Sequence, residues 1–220
     1  MSAGRDHHRL VRGAAALGCA LAVLATIAAC GIGVDGEPRP LEVHTTTTTT
    51  APKPSSGRIA TVLYYVNEGK LLPVATELPD RDLSTVLDAL LNPDPATLTP
   101  NGTLSSIPAG TELLGIERSA DRLTIDLSPA FNNVVGLSRQ QAVGQMVLTV
   151  TERQEFRAIE FRIDGEPIQV PSPVLGDSRT VTDCDFAPLL VTVEDAGEAG
   201  LSERMTEVLV ARTEHLVETC

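Results

Sequence analysis

The chain has 220 residues and a formal net charge of −12, from 17 Lys and Arg against 29 Asp and Glu. This acidity argues against binding to nucleic acid or docking on anionic lipid, because both need a basic patch. Tryptophan is absent and aromatic residues make up only 3% of the chain, which disfavours an aromatic platform for sugars.

The first 30 residues have the pattern of a bacterial lipoprotein signal. Three arginines precede an apolar run over 14–28, and Ile27-Ala28-Ala29-Cys30 resembles a lipobox. We predict that residues 1–29 are a signal peptide cleaved between Ala29 and Cys30. Acylated Cys30 would then hold the protein in the lipid bilayer, at the outer face of the cytoplasmic membrane. The alternatives are a plain secreted protein or an uncleaved membrane helix, although a spanning helix needs about 20 apolar residues.

Residues 30–57 are predicted to be a lipidated, flexible tether. The run Thr45–Thr50 and the Pro- and Ser-rich residues after it show no apolar periodicity. About 27 residues of such chain have an r.m.s. reach of roughly 30 Å. The threonines serve either as an unmodified spacer, which we favour, or as acceptors of O-linked sugars.

Two strands and a helix are predicted next. Residues 59–66 form a nearly continuous β-branched and aromatic run, and residues 70–78 follow a turn. Asp80 or Asp82 is placed to cap the helix, which ends at Asn92. Its apolar residues recur at helical spacing and should form one buried stripe: Leu83, Val86, Leu87, Leu90 and Leu91.

The same order of elements recurs after a predicted surface loop over 94–110. Residues 111–118 and 122–128 are predicted strands, the second with clean apolar and polar alternation. Ser138 should begin a second helix, with Gln141 in the capping-box position. The residues expected on its buried face are Val143, Met146, Val147 and Val150.

Two further strands, over 158–164 and 167–170, complete the predicted domain. The resulting order, ββα-ββα-ββ, is typical of an α+β domain, which we place at residues 58–171. We expect a mostly antiparallel sheet with two helices packed on one face.

Residues 172–220 are predicted to be a C-terminal extension that contains a strand and a helix. Cys184 and Cys220 remain as an even pair once Cys30 carries lipid, and disulfides persist in exported proteins. We therefore predict a bridge between Cys184 and Cys220. The alternative is two unrelated thiols.

No catalytic set is found in the sequence, and we predict no catalytic residue, metal or cofactor. His7 and His8 leave with the signal peptide, His44 lies in the tether, and His215 lies near the end. A nucleophile on the folded core would therefore lack a base. The cysteine spacings do not fit a zinc site either.

Two aspartates are the only other candidate catalytic residues in the sequence. Asp126 and Asp164 end neighbouring predicted strands, and paired carboxylates hydrolyse glycosides in some enzymes. We favour the simpler interpretation, in which one is a strand-end residue and the other a turn residue.

Several motifs, in order, resemble the GerM-type sporulation and germination (GerMN) domain. The runs over 62–66 and 70–74 resemble its opening, and residues 105–115 resemble its central run. Thr124-Ile125-Asp126-Leu127-Ser128 resembles the end of a family strand. Residues 145–152, followed by residues 161–168, resemble the closing helix, strand and turn of the family. The resemblance covers residues 59–171.

The resemblance implies a lipoprotein of a Gram-positive, actinobacterial envelope, and the richness in Ala, Gly and Val suggests a GC-rich bacterial genome. The family carries no known catalytic set. Its domain is similar to ring-building modules of sporulation assemblies, and one actinobacterial relative partners a two-component sensor kinase.

We therefore predict a membrane-anchored extracytoplasmic lipoprotein whose single domain is a non-catalytic interaction or assembly module. Its partner is an unknown envelope protein or cell-wall component. The expected interaction surface contains Asn101, Ser105, Ser106 and Asp126. The alternative is a lipoprotein that binds a small ligand or wall polymer through loop 94–110 beside Asp126.

Overall fold

The computed structural model describes residues 57–98, 100 and 102–220. The predicted signal peptide, the lipidation site Cys30, most of the tether and Asn101 therefore lie outside the described residues. Within the described part of the chain, no helix has the length and apolar character to cross a membrane.

An N-terminal hairpin pairs strand β1 (Ile59–Asn67) with strand β2 (Lys70–Leu78) in antiparallel register over nine residue pairs. Glu68 and Gly69 form its two-residue turn, with φ values of 47° and 87°. Positive φ at both positions gives a turn whose twist matches the twist of the strands. The predicted turn and both predicted strands are confirmed.

Helix α1 (Leu83–Leu91) follows the hairpin, and the one-turn helix α2 (Pro95–Leu98) lies at the start of the predicted surface loop. All five residues of the predicted stripe in α1 are buried, and Leu87 is fully buried. Asp82 precedes the helix without making a side-chain cap, whereas Asp80 Oδ1 accepts a hydrogen bond from the Asp82 backbone N–H at 3.0 Å.

A second sheet contains five strands. They are β3 (Leu113–Ser119), β4 (Arg122–Leu127), β5 (Ala158–Ile163), β6 (Glu166–Ile168) and β9 (Thr180–Val181). Strands β4 and β5 are parallel, because helix α3 (Gly136–Thr151) connects them as a crossover. The other pairings are antiparallel, so the predicted α+β class with a mostly antiparallel arrangement is confirmed.

The strands do not form the one sheet that the sequence suggested. Strands β1 and β2 form a two-stranded sheet of their own, which is not hydrogen-bonded to the five-stranded sheet as a further strand pair. A second hairpin pairs β7 (Val170–Ser172) with β8 (Gly176–Ser178). One continuous core of apolar side chains nevertheless connects all these elements. The described residues form a single compact unit around that core.

The start of α3 differs from the prediction. The helix begins at Gly136, which has a φ of 61°, and Ser138 lies inside it. The predicted capping box is wrong because Gln141 is used elsewhere. Its amide donates to the Gly69 carbonyl at 3.2 Å, and its side-chain oxygen accepts from the Ser106 hydroxyl at 3.1 Å.

Helix α3 is buried on every side over residues 141–151, not along one stripe. The predicted core residue Val147 is fully buried, but so are polar neighbours such as Gln145. Gly144 permits the close packing, since a methyl group there would lie 2.8 Å from Leu71 Cδ1 and 3.0 Å from Phe186 Cδ1. A helix surrounded by protein loses the polar face that makes a stripe visible in the sequence.

The C-terminal extension contains a 3-10 helix (Cys184–Leu189) and the long helix α4 (Glu203–Thr219). Two short strands, β8 and β9, lie in the extension where one strand was predicted, and the chain turns into the 3-10 helix at Cys184. The predicted helix is present. Its first turn is capped by Ser202, whose Oγ accepts from the Met205 N–H at 3.4 Å, and it packs against β2.

Candidate functional site

Ser106 holds the predicted loop onto helix α3, and Ser105 supports the loop itself. The Ser106 backbone N–H donates to Gln145 Oε1 at 2.7 Å, and its hydroxyl donates to Gln141 Oε1. Ser105 Oγ accepts from the Ile107 N–H at 3.2 Å. Both serines therefore have internal roles, and their contact with a partner stays a prediction.

Asp126 also has an internal hydrogen bond. Its Oδ1 accepts from the Gly165 N–H at 3.1 Å, which supports the turn at Asp164 and Gly165. This matches the strand-end and turn interpretation of the two aspartates. Within the described part of the chain, no hydrogen bond joins Asp126 to Ser105 or Ser106, and a shared interaction surface stays a prediction.

A groove of about 620 Å³ lies beside strand β2. We call it the β2 groove and define it by residues 73–78 of β2, residues 92–97 from the end of α1 into α2, and residues 200–205 at the start of α4. Its volume lies in the range of ligand-binding clefts, about 300–1,000 Å³. Only the first part of the predicted loop 94–110 contributes to it.

Strand β2 brings an open edge to this groove. β1 pairs with β2 on one side over its whole length. On the other side, a parallel bridge joins Leu71 to Leu190, and Ala75, further along the strand, is exposed. In addition, the buried Thr76 hydroxyl in the groove lining has no hydrogen-bond partner among the described residues. Unpaired backbone along a strand edge is a template for another chain.

A buried ionic cluster holds helix α4 in place. The Arg212 side chain is 2% exposed and donates to the Thr151 carbonyl at 2.9 Å and the Thr151 hydroxyl at 2.6 Å. It also pairs with Asp183 Oδ2 at 3.2 Å. Helix α4 is thereby joined to the end of α3 and to the start of the 3-10 helix.

A second polar pair lies next to this cluster. The Tyr64 hydroxyl donates to Glu152 Oε2 at 2.6 Å. Burial raises the pKa of Glu152, while the hydrogen bond from Tyr64 and the charges of Arg212 and His215 oppose that rise. Burial also raises the pKa of Tyr64. Burial therefore penalises the charged form of both groups.

The end of α4 is closed by a disulfide between Cys184 and Cys220, with Cα atoms 5.7 Å apart. The helix that supplies one wall of the β2 groove at its first turn is thus held at Arg212 and again at Cys220, directly after its last residue. The groove depends on a segment that lies outside the region resembling the family.

We expect Glu152→Gln to stabilise the protein most at high pH. The pKa of Glu152 is raised in the folded protein. The favourable contribution of this side chain to the free energy of unfolding is therefore fully present below its pKa in the unfolded chain, and it is lost as the pH rises through its pKa in the folded protein. Glutamine still accepts the Tyr64 hydroxyl but never ionises. In thermal unfolding between pH 4 and 9, Glu152→Gln should raise the melting temperature by an amount that grows with pH. The control Glu218→Gln, at an exposed position, should not raise it. A gain that is largest at pH 4 would contradict this account.

The structure does place one histidine between an acid and a hydroxyl. His215 Nε2 lies 3.6 Å from Asp183 Oδ2, and His215 Nδ1 lies 3.5 Å from Thr219 Oγ1. Both separations exceed the roughly 2.6–3.2 Å of a nucleophile and its base. Asp183 is already engaged by Arg212. Among the described residues, no three His, Cys, Asp or Glu side chains are grouped to hold a metal ion.

The comparisons with known proteins concern the central part of the chain. Residues 62–169 match the Germane family, which is described as sporulation and spore germination. No curated protein sequence matches the chain.

Two solved structures from Bacillus subtilis are similar to part of this chain. The tandem GerMN domains of the sporulation protein GerM are 21% identical, with a TM-score of 0.48, and the match covers 58% of this chain and 47% of that one. The first GerMN domain of the same protein is 21% identical, with a TM-score of 0.43, and the match covers 57% of this chain and 95% of that one. The match thus spans less than half of the tandem-domain chain. On the family match, this chain contains a GerMN-type domain, and residues 62–169, just under half of its length, are the part that matches the Germane family.

Proposed function

We propose that this protein is a lipid-anchored extracytoplasmic lipoprotein whose GerMN-type domain is a non-catalytic interaction module of the cell envelope. The observation that carries the proposal is the β2 groove, which combines a cleft of ligand-binding size with an open strand edge. Strand edges and clefts are two common places at which proteins bind partners.

The lining of the groove supports binding rather than catalysis. Polar side chains such as Asn92, Thr97 and Ser202 alternate with apolar ones such as Leu201 and Met205. None of these side chains is a nucleophile with an adjacent base. The His215 arrangement is separate from the β2 groove, and its acid, Asp183, is already paired with Arg212.

The lipobox-like sequence at Cys30 supports the proposed anchor. Two or more acyl chains anchor a protein stably, whereas one chain of myristoyl length binds only marginally. A lipid-anchored protein needs no membrane-spanning helix, and a flexible tether would give the domain reach toward partners near the membrane.

Cys30→Ala is expected to abolish lipid attachment. Without a thiol at position 30 there is no acceptor for the diacylglyceryl group, so the protein should carry no label from radioactive palmitate. The matched control is Cys19→Ala, which changes a cysteine within the predicted signal peptide and should leave labelling unchanged. Persistent labelling of Cys30→Ala would show that the lipidation site is assigned wrongly.

The groove is tested by crosslinking in intact cells. We would express the full-length protein with a C-terminal affinity tag, treat cells with formaldehyde, and compare Ala75→Arg with Ala211→Arg. Both alanines are exposed, but only Ala75 lies in the groove. The proposal predicts an adduct in the wild type and in Ala211→Arg that is absent from Ala75→Arg, with equal melting temperatures for both variants.

Adducts of equal yield in both variants would exclude the β2 groove as the binding site. The alternative function, binding of a wall polymer, predicts an adduct that survives protease digestion of the partner and disappears after muramidase treatment. The volume of the groove is compatible with such a ligand, and this outcome would replace a protein partner with a glycan or stem peptide.

A further inference from the structure

We infer that the domain docks on the lipid bilayer through five exposed apolar side chains at one end, which we call the apolar end: Leu104, Val135, Leu137, Val174 and Leu175. This inference rests on the proposed lipid anchor and adds the orientation that the anchored domain takes. Single exposed leucines and valines are ordinary in proteins, whereas several in one place mark a contact surface.

Exposed apolar side chains are unevenly distributed over the domain. Among the described residues, eight large apolar side chains are exposed, and five of them belong to the apolar end. Each of these five is between 59% and 76% exposed. The other three are Ile59, Leu114 and Val217.

The beginning of helix α3 supplies two of the five side chains. Val135 directly precedes the helix, and Leu137 lies in its first turn. Residues four apart share a face of a helix, so Leu137 lies one turn beyond Gln141 and Val135 lies one turn beyond Arg139. The Arg139 N–H donates to the Val135 carbonyl at 3.4 Å, which fits this placement.

The turn between β1 and β2 lies at the same end of the domain. The Gln141 side chain donates to the Gly69 carbonyl in this turn at 3.2 Å. Leu104 lies beside the turn, because it exchanges two backbone hydrogen bonds with Val66, at 2.7 and 2.9 Å, near the end of β1. Leu104 and Leu137 are therefore both near the β1–β2 turn.

The β7–β8 hairpin brings the last two side chains to the first turn of α3. Strand β7 packs against α3. Val174 and Leu175 form the tip of the hairpin, where Ser172 Oγ accepts from both of their N–H groups at 3.1 and 3.0 Å. Burial lowers the pKa of Arg139, and the charge of Asp177 on β8 opposes that change, so the two side chains lie close together.

The predicted tether joins the domain at the opposite end. Gly57 is the first described residue, and strand β1 runs from there to the turn over nine residues, or roughly 30 Å at 3.3 Å per residue. Helix α3 runs back along β1, since Gln141 contacts the turn and Thr149 Oγ1 accepts from the Tyr64 N–H at 3.1 Å. The tether exit and the apolar end are thus separated by the length of the hairpin.

The length of chain between Cys30 and Gly57 fits this separation. About 27 residues of the predicted tether have an r.m.s. reach of roughly 30 Å. The effective concentration of a linked site is greatest when the r.m.s. length of the linker matches the span that it has to cover. A bilayer is also the surface that a lipid-anchored domain always meets. The bilayer is therefore the occupant that the anchor favours.

Apolar contact rather than charge carries this docking. The chain has a net charge of −12, which opposes attraction to anionic lipid. Charges of both signs lie next to the apolar end, with Glu68 and Lys70 at the β1–β2 turn, and Arg139 and Asp177 beside the β7–β8 tip. Apolar side chains that enter the interface bind in proportion to the apolar area that they bury.

Docking of the apolar end gives the β2 groove a direction. The groove contains residues 73–78 of β2, and Leu78 pairs with Ile59 at the start of β1. Arg58, at the tether exit, also lines the groove. The groove therefore lies toward the end of the hairpin away from the apolar end. A docked domain holds the groove away from the bilayer, where envelope partners can enter it.

The test places a thiol-reactive fluorophore at Leu137→Cys in the full-length acylated protein. The vesicles consist of phosphatidylcholine, part of which carries a nitroxide on its acyl chain. Apolar residues at an interface lie about 5–10 Å into the boundary of headgroups and acyl chains, so contact with the nitroxide should lower the emission about twofold. A label at Leu175→Cys should respond in the same way. The control label at Glu207→Cys, on the exposed side of α4, should keep its emission.

A charge at the apolar end tests the same contact. With the label at position 175, Leu137→Asp should lower the ratio of docked to free domain about tenfold, because it removes apolar area from the interface. Ala211→Asp adds the same charge next to Arg212, which contacts Thr151 at the far end of α3, and should leave the quenching unchanged. Added salt should leave the quenching unchanged as well.

Flotation of the vesicles separates this inference from the proposed function. Protein that floats with the vesicles but shows no quenching at position 137 or 175 overturns the docking and leaves the lipid anchor in place. Cover of the apolar end by a protein or a second copy gives this same result. Protein that does not float contradicts the anchor and the docking together. Quenching at both positions that Leu137→Asp reduces and Ala211→Asp does not supports the docking, and the label scan decides the matter even if Leu137→Asp fails to fold.

Discussion

Replacing Arg212 by alanine is expected to lower the free energy of unfolding by about 3–5 kcal/mol, the range for removing one partner of a buried ion pair. The guanidinium is almost fully buried and joins α4 to Thr151 and Asp183. Without it, the buried Asp183 carboxylate loses its cation, and the Thr151 carbonyl loses its donor. Chemical denaturation of the purified protein measures the change directly.

The matched control for this prediction is Arg204→Ala, which removes an exposed arginine from the same helix. It should change the free energy of unfolding by less than about 0.5 kcal/mol, as surface substitutions generally do. A loss below 1 kcal/mol for Arg212→Ala would contradict the role we give to the ionic cluster in holding α4.

Opening the bridge between Cys184 and Cys220 is expected to cost about 4 kcal/mol. The two cysteines are 36 residues apart, and a cross-link of that span restricts the unfolded chain by this amount in the chain-entropy description. Cys220→Ser should therefore lower stability to the same extent as Cys184→Ser, and the double variant should lose no more than either single one.

The bond itself is tested by thiol labelling. Unfolded, non-reduced protein should show no reactive thiol at these two positions, and two after reduction. Two reactive thiols before reduction would exclude the bridge in solution. Because α4 supplies one wall of the β2 groove, reduction is also expected to weaken partner capture.

The sequence predicted helix α1 well because the helix lies at the surface. Its outer face must be polar, so the buried residues stand out at helical spacing. Helix α3 was predicted less well for the opposite reason. Protein surrounds this helix, and the side chains of Gln141 and Gln145 make hydrogen bonds inside the fold. The parallel pairing of β4 and β5 was recoverable, because a helical crossover between two strands permits it.

The site was less predictable than the fold. The β2 groove is formed by three segments that are far apart in the chain. No local sequence pattern predicts that residues 92–97 and 200–205 lie beside β2. One signal for the ionic cluster was present, however. Arg212 occupies a position on the buried stripe of α4 that contains Met205, Leu209 and Leu216, where an apolar residue would be expected. A charge on such a stripe indicates a buried partner.

The central claim is that partners bind in the β2 groove, and photocrosslinking in living cells tests it most directly. A photoreactive amino acid would be placed at Thr97 in the groove and, as a control, at the exposed Glu207 on the outer side of α4. We predict a discrete adduct from position 97 that Ala75→Arg removes, and none from position 207. An adduct from position 97 that persists in Ala75→Arg, or one formed only from position 207, would contradict the claim.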